Sequence, residues 1–245
     1  MKSEYEHIFE QRGREYDTAM RRFPVARTAE FARLFDDVNF GPAGRIADIP
    51  SGGGYLRNFV PENHEIDSIE PCGEFRADNA HQADVGLDEI ILPEQAYDII
   101  VCLAAIHHVK AKKVFLNNMY NALKPGAFFC IGDVLKQSAI ARFLDDFAGK
   151  HNGTGHAGRY LEISTVREIL GPSGADILCC EEKSCAWRFN SEADMLAFCR
   201  LLFGLKSLDD QDLLRALDEY IGVSTLEHGV SLDWRLLYVT VQKPL

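Results

Sequence analysis

The 245-residue chain lacks several features that would mark it as a membrane, secreted or nucleic-acid-binding protein. No stretch approaches the 18 uninterrupted apolar residues of a membrane-spanning helix, and the opening residues 1–6 contain no apolar signal-peptide core. Positive charge is scarce: 26 Lys and Arg residues stand against 37 Asp and Glu residues, for a net charge of −11. Because a phosphate backbone requires a basic surface, nucleic acid is not expected as a partner. We therefore expect a cytoplasmic protein that binds neither membranes nor nucleic acid.

A local basic cluster near the N-terminus leaves one alternative open. It consists of Arg12, Arg14, Arg21, Arg22 and Arg27. A solvated helix face explains such a cluster more simply than a nucleic-acid site does.

Disulfides and metal centres are also not expected. The seven Cys residues are odd in number and form no C-x-x-C pair, which fits a reducing compartment. His151 and His156 have no neighbouring carboxylates at ligand spacing, so no metal site is predicted. With 47% hydrophobic residues, the chain is long enough for one large α/β domain over residues 1–245.

The most informative segment is an apolar run that ends in an acid and passes into glycines. Arg45-Ile-Ala-Asp48 is followed by Ile-Pro50-Ser51-Gly52-Gly-Gly54, and a second apolar run ends at Glu70, 22 residues after Asp48. A strand, a tight loop and the start of a helix, in this order, bring the backbone close to a ligand. Glycine permits the close approach because it has no Cβ. A carboxylate at this distance suits the hydroxyls of a ribose. The segment therefore predicts a site for an adenosine-containing cofactor, with an ordinary loop as the alternative.

The glycine spacing does not suit a dinucleotide. In a G-x-G-x-x-G motif the third glycine packs the helix against the strand, but Arg57 stands at that position. Asp48 at the mouth of the loop would repel a diphosphate and attract a cation.

Two segments farther along carry a more specific pattern. Tyr97–Leu103 is a buried-strand pattern that runs into Ala-Ala-Ile-His107-His108-Val. Residues 114–123 have apolar side chains at helical spacing, Lys124-Pro125-Gly126 ends that helix, and a strand over 127–131 leads to Asp133.

Over residues 45–135 these motifs resemble the class I S-adenosylmethionine (SAM) methyltransferases of the small-molecule type. Asp48-x-Pro50-x-Gly52-x-Gly54 is similar to their first motif, with Pro50 in place of a glycine. The resemblance implies a Rossmann-like, doubly wound sheet of seven strands with the last strand antiparallel. It also implies SAM as cofactor, held by Asp48, Pro50, Ser51, Gly52, Gly54, Glu70, Pro71, Asp84, Val85 and Leu103.

The segment after Glu70 departs from the family. Only 14 residues separate Glu70 from Asp84, where the family fits both a helix and a strand. Either that helix is missing or that strand is vestigial. Asp84 is still expected to contact the adenine.

Outside this core, the chain is predicted to add helices. Residues 1–40 contain two helices divided at Phe23-Pro24, where Pro24 can open the second helix at its first turn. In the family such a leader forms a lid over the cofactor. A helix is predicted over 137–146, and another over 163–170 with Ser164 or Thr165 as N-cap. Residues 177–189 are predicted as strand six and 234–242 as strand seven, with a helical insert over 191–221 between them.

The acceptor pocket is expected under the leader, the 151–160 loop and the insert. We expect His107 and His156 as catalytic candidates, and Tyr16 and Arg159 as acceptor contacts. The alternative for His107 and His108 is that one orients its loop and the other is satisfied in the core. The predicted activity is methylation of a small molecule on oxygen or nitrogen by a monomer or homodimer. The rival is a non-catalytic SAM-binding regulatory or scaffold protein of the same fold.

Overall fold

Seven strands form the main sheet in a computed structural model that describes residues 4–75, 77, 81–82, 85–156 and 158–245, with residues 81–82 described by their backbone. The strands are β1 (Gly44–Asp48), β2 (His64–Glu70), β3 (His81–Gln82), β4 (Tyr97–Leu103), β5 (Leu123–Asp133), β6 (Asp176–Ser184) and the last strand, β10 (Arg235–Gln242). Their order is β3-β2-β1-β4-β5-β10-β6. Neighbouring strands are parallel except β10, which runs antiparallel to β5 and β6. The predicted doubly wound α/β sheet with its last strand antiparallel is confirmed.

Alternation along the central strands explains why this sheet is covered on both faces. Ile46, Ile99 and Val101 belong to one hydrophobic cluster, whereas Ala47 and Ile100 belong to the other. Successive side chains of a strand point to opposite faces, so strands that are apolar at every position need cover on both sides.

The described part of the chain contains eight helices. They are α1 (Glu4–Arg22), α2 (Thr28–Arg33), α3 (Lys112–Ala122), α4 (Ala139–Arg142), α5 (Gly149–His151), α6 (Ile163–Leu170), α7 (Glu192–Phe203) and α8 (Asp210–Tyr220). A π-helical turn, Phe143–Ala148, joins α4 to α5. The insert helices begin at side-chain caps, because Ser191 and Asp209 accept hydrogen bonds from the backbone of Asp194 and Asp212.

Three details of the helices correct the sequence predictions. The second leader helix begins at Thr28, because turns occupy residues 24–27 after Pro24. The N-cap of α6 is Glu162, which makes no side-chain capping bond, and neither Ser164 nor Thr165 takes that place. The glycine loop leads into a short 3₁₀ helix, Tyr55–Phe59, and not into a full α-helix.

The strand predicted over 177–189 is two strands in two different sheets. After β6 ends at Ser184, β7 (Trp187–Phe189) leaves the main sheet and pairs with β9 (Gly229–Leu232), which also pairs with β8 (Val223–Leu226). The segment between β6 and β10 therefore contains a three-stranded antiparallel sheet in addition to α7 and α8. Periodicity cannot distinguish one bent strand from two short ones.

Among the described residues, no helix is both long enough and apolar enough to cross a membrane.

Candidate active site

The two predicted cofactor carboxylates lie side by side where β1 and β2 end. Both side chains are buried, and the Glu70 carboxylate accepts three hydrogen bonds. Its donors are the backbone N–H of Gly52 at 2.8 Å, the backbone N–H of Cys72 at 2.8 Å and the Tyr5 hydroxyl at 3.0 Å. The first bond ties the glycine loop to the end of β2, so the loop is fixed before any ligand arrives.

Glycine is required at position 52 for two reasons. Its φ of +51° lies in the left-handed region, and a Cβ there would lie 2.9 Å from the ring of Phe75. Gly54 also has a positive φ, +76°, and precedes the 3₁₀ helix. The Ile49–Pro50 peptide bond in the same turn is cis.

The electrostatics of this site favour a cationic ligand. Burial raises the pKa of Glu70 to about 7, against the hydrogen bonds from Cys72 and Gly52 that lower it. Burial, followed by the nearby Glu70, raises the pKa of Asp48 well above its ordinary value. A cation placed between two such groups stabilises their ionised forms. The Ser51 hydroxyl is buried without a hydrogen-bond partner among the described residues, so it is free to contact a ligand.

These residues fit the aminoacyl and ribose groups of SAM, but the cavity beside them is small. It encloses about 40 Å³ and is lined by Asp48, Pro50, Ser51, Gly52 and Leu103, together with aromatic side chains that include Tyr5, Phe9, Tyr16 and Phe75. Phe9 stacks on Phe75 with ring centroids 4.6 Å apart. Ligand pockets usually exceed about 300 Å³, so these aromatic side chains must move when a cofactor enters.

The remaining predicted cofactor residues have different placements. Pro71 is buried directly after Glu70 and Val85 is 42% exposed, and neither they nor Gly54 line this cavity. The side chain of Asp84 lies outside the described residues. Of the strand before it, β3, the structure describes His81 and Gln82.

A second cavity of about 90 Å³ adjoins the first, and Phe9, Tyr16, Arg27 and Ala104 line both. Its walls come from the leader, from Asn152 and His156 in the 151–160 loop, from Leu202 and Phe203 in α7, and from His107 and His108 after β4. The three segments predicted to enclose the acceptor therefore meet here. This cavity is also smaller than most ligand pockets, so it must widen when an acceptor binds.

His107 is oriented by a buried carboxylate. Its Nδ1 lies 2.7 Å from Oδ1 of Asp133, the last residue of β5, while Oδ2 of Asp133 accepts from the backbone N–H groups of Ala105 and His107. Burial would raise the pKa of Asp133, but the charge and hydrogen bond of His107 hold it below its ordinary value. With Nδ1 directed at an ionised carboxylate, Nε2 is the nitrogen of His107 that remains for chemistry.

His156 repeats this arrangement on the loop after α5. Its Nδ1 lies 2.8 Å from Oδ1 of Asp145, which also accepts from the Tyr160 hydroxyl at 2.8 Å. Burial, and then the charge of His107, lowers the pKa of His156. The imidazole is therefore neutral at physiological pH and has Nε2 available as a base or ligand.

The two predicted acceptor contacts lie in different places. Tyr16 lies between the two cavities, and its hydroxyl accepts a hydrogen bond from Arg27. Arg159 does not line the histidine cavity, because its guanidinium pairs with Glu4 at 2.9 Å. It lines an open surface cleft of about 770 Å³ beside Lys110, Lys113 and Arg142.

Several residues of the site escaped the sequence analysis. Tyr5 and Phe9 were not predicted, although together with Arg12 and the predicted contact Tyr16 they are spaced four, three and four residues apart, which places all four on one face of α1 and could have identified that face. Arg27 does not lie on a solvated basic face, because it is buried and paired with Glu30. The Glu30 carboxylate also accepts a hydrogen bond from Nε1 of Trp187 at 2.6 Å. No local pattern links Trp187 to Glu30, because 157 residues separate them.

Comparisons with known proteins agree with this geometry. A family model described as a methyltransferase domain matches residues 10–179. No curated protein matches the chain.

Solved structures share the fold at low sequence identity. A SAM-dependent methyltransferase from Thermotoga maritima superposes with a TM-score of 0.60 at 15% identity, over 97% of this chain and 99% of that one. The 1,6-didemethyltoxoflavin-N1-methyltransferase of Burkholderia thailandensis gives 0.56 at 12%, over 99% and 88%. The phosphoethanolamine N-methyltransferase 2 of Haemonchus contortus gives 0.57 at 12%, over 89% and 53%.

The family model matches more than half of this chain, so the chain belongs to the class I SAM-dependent methyltransferases.

Proposed function

We propose that this enzyme transfers the methyl group of SAM to an oxygen or nitrogen atom of a small-molecule acceptor. The proposal rests on two adjacent cavities that share part of their lining. One is lined by Asp48 and by Gly52 and Tyr5, which donate to the buried Glu70 carboxylate. The other is lined by three imidazoles. A single layer of side chains separates the two cavities and consists of Phe9, Tyr16, Arg27 and Ala104.

In this proposal the cofactor is held by Asp48, Pro50, Ser51, Gly52, Gly54, Glu70, Pro71 and Leu103. Glu70 exchanges the Tyr5 hydroxyl for a ribose hydroxyl, and Asp48 provides negative charge for the cationic methionine end. SAM supplies an activated methyl group, so the protein mainly has to align the acceptor and take up a proton. Nε2 of His107 or His156 is available for that proton, since a carboxylate holds Nδ1 of each ring.

The lining of the second cavity supports a flat, apolar acceptor with one anionic group. Trp187 stacks on Trp234 with ring centroids 4.0 Å apart, and Phe203 lies beside both rings. Arg12 donates to the carbonyl of Leu202 at 2.7 Å, yet its Nε is buried without a partner among the described residues. A buried guanidinium with an unused N–H favours a carboxylate or another anion.

The experiment is incubation of the protein with SAM labelled on the methyl group and a protein-free cell extract. We expect a labelled small molecule that is absent from heat-inactivated controls. His156→Ala should reduce its formation while leaving affinity for S-adenosylhomocysteine within about 1 kcal/mol, because His156 does not line the cofactor cavity.

Two results would contradict the proposal. Label that appears only in protein or nucleic acid of a whole extract would replace the small-molecule acceptor. Tight cofactor binding without any labelled product would favour the regulatory or scaffold alternative.

A further inference from the structure

Three imidazoles from two separate segments converge at one point of the second cavity. His107 and His108 lie on the turn after β4, and His156 lies on the loop after α5. One ring nitrogen of each lies within 4.8 Å of the corresponding nitrogens of the other two. The ring centroids are 4.1 Å apart for His107 and His108, 5.6 Å for His107 and His156, and 5.9 Å for His108 and His156.

Two of the rings are oriented as metal-bound histidines are. Nδ1 of His107 is directed at Asp133, and Nδ1 of His156 at Asp145. In metalloproteins, a ligating imidazole usually donates its other N–H to a carboxylate or carbonyl, which fixes the tautomer and makes the ligating nitrogen more basic. Here the two carboxylates also supply negative charge that offsets a bound cation.

The third ring provides an independent observation. Nδ1 of His108 is buried and has no hydrogen-bond partner among the described residues. An unpaired polar atom in a protein interior costs free energy unless something contacts it.

The cluster also has an open side. All three rings line the second cavity, next to Ala104 and Val134. Three histidines and one open position form the donor set of catalytic zinc sites. Nitrogens around one tetrahedral Zn²⁺ lie about 3.4 Å apart, so the rings would close by roughly 1 Å on binding.

The geometry points to a divalent transition-metal site formed by His107, His108 and His156, with Zn²⁺ as the ion that best matches three imidazole ligands. This assignment goes beyond the proposed function and departs from the sequence expectation that no metal is bound. His107 and His156 would then serve as ligands in place of the proton acceptors proposed above, and an acceptor hydroxyl at the open position would release its proton to solvent more easily.

Metal binding is measured directly on protein that carries no histidine tag and has been dialysed against a chelator. Calorimetric titration with ZnCl₂ should show one equivalent bound. Titration with Co²⁺ should produce the intense visible bands of a four-coordinate site. His108→Ala and His156→Ala should each weaken binding at least 100-fold, and Asp145→Asn, which keeps all three ligands, by about tenfold.

The control is His228→Ala, since His228 is almost fully exposed and remote in sequence from the cluster. It should bind Zn²⁺ as the wild type does. Should a ligand variant fail to fold, Asp145→Asn still tests the site, because Asp145 is partly exposed and is not a ligand. No stoichiometric binding, or binding that His108→Ala and Asp145→Asn leave unchanged, would overturn the assignment. S-adenosylhomocysteine binding, measured in parallel, separates this failure from failure of the proposed function.

Discussion

At the scale of single residues, the Tyr5 hydroxyl occupies the position on Glu70 that a ribose hydroxyl would take. The hydroxyl lies 3.0 Å from Oε2 of Glu70, and this oxygen also binds the glycine loop. Tyr5→Phe removes the competitor but keeps the aromatic ring. We expect threefold to tenfold tighter binding of S-adenosylhomocysteine, corresponding to about 1 kcal/mol for one hydrogen bond. Isothermal titration calorimetry measures the change, and weaker binding would mean that Tyr5 contacts the bound cofactor.

The raised pKa of Glu70 predicts a pH dependence of stability. Its pKa is about 7 in the folded protein and about 4.5 in the unfolded chain. Between these values the folded state holds a proton that the unfolded state has released, so the free energy of unfolding falls as pH rises from 4.5 to 7. The side chain in Glu70→Gln cannot titrate. Between pH 4.5 and pH 7, the free energy of unfolding of this variant should therefore fall by about 3 kcal/mol less than that of the wild type. Urea denaturation at pH 5 and pH 8 compares the two proteins, and equal losses would refute the assigned pKa.

At the scale of elements, the glycine loop requires both its backbone conformation and the space above it. Gly52→Ala combines a positive φ with a Cβ 2.9 Å from Phe75, whereas Gly153→Ala has a positive φ and no neighbour within 4 Å. Gly153→Ala should cost only the conformational strain, about 1–2 kcal/mol. Gly52→Ala should cost more and reduce S-adenosylhomocysteine affinity at least tenfold. Thermal denaturation and calorimetry measure both effects, and equal behaviour of the two variants would exclude a role for close approach.

A buried ion pair within the leader is joined to β7 by a hydrogen bond. Glu30 pairs with Arg27 and accepts from Trp187, so it ties α2 to β7. Glu30→Gln leaves the Arg27 charge buried without its counterion and should destabilise the protein by about 3 kcal/mol. Asp212→Asn removes the exposed Asp212–Arg215 pair and should change stability by less than about 0.5 kcal/mol. Chemical denaturation compares the variants, and a small effect of Glu30→Gln would indicate that water reaches Arg27.

Elements with strong local signals were predictable, and elements set by distant contacts were not. Tyr97–Leu103 and the final strand are apolar at nearly every position. Lys124-Pro125-Gly126 was predicted to end the helix before the strand over 127–131; α3 does end at Ala122, but β5 begins at Leu123 and includes these three residues. The division of 177–189 into β6 and β7 depends on pairing with β9, some 40 residues away. Local periodicity contains no information on such pairing.

At the scale of the whole molecule, the same distinction separates the two halves of the candidate site. Asp48, Gly52 and Glu70 follow strand ends in a known spacing, so their meeting at one sheet edge could be predicted. The histidine cavity could be predicted only as a set of segments. The loop with His156 reaches His107 through a backbone hydrogen bond from the N–H of Arg159 to the carbonyl of His107, and this contact exists only after the chain has folded. The exclusion of nucleic acid, the oligomeric state and the single-domain organisation over 1–245 stay predictions.

The central claim is that the ends of β1 and β2 bind SAM through Glu70. Titration calorimetry with S-adenosylhomocysteine, on the wild type and on Glu70→Ala, tests it most directly. The account predicts one equivalent bound by the wild type and a loss of tenfold to about a hundredfold in the variant, since unpaired ribose hydroxyls cost about 1–3 kcal/mol. NAD⁺ should not bind to either protein. Failure of the wild type to bind S-adenosylhomocysteine, or equal affinity of the two proteins, would contradict the account.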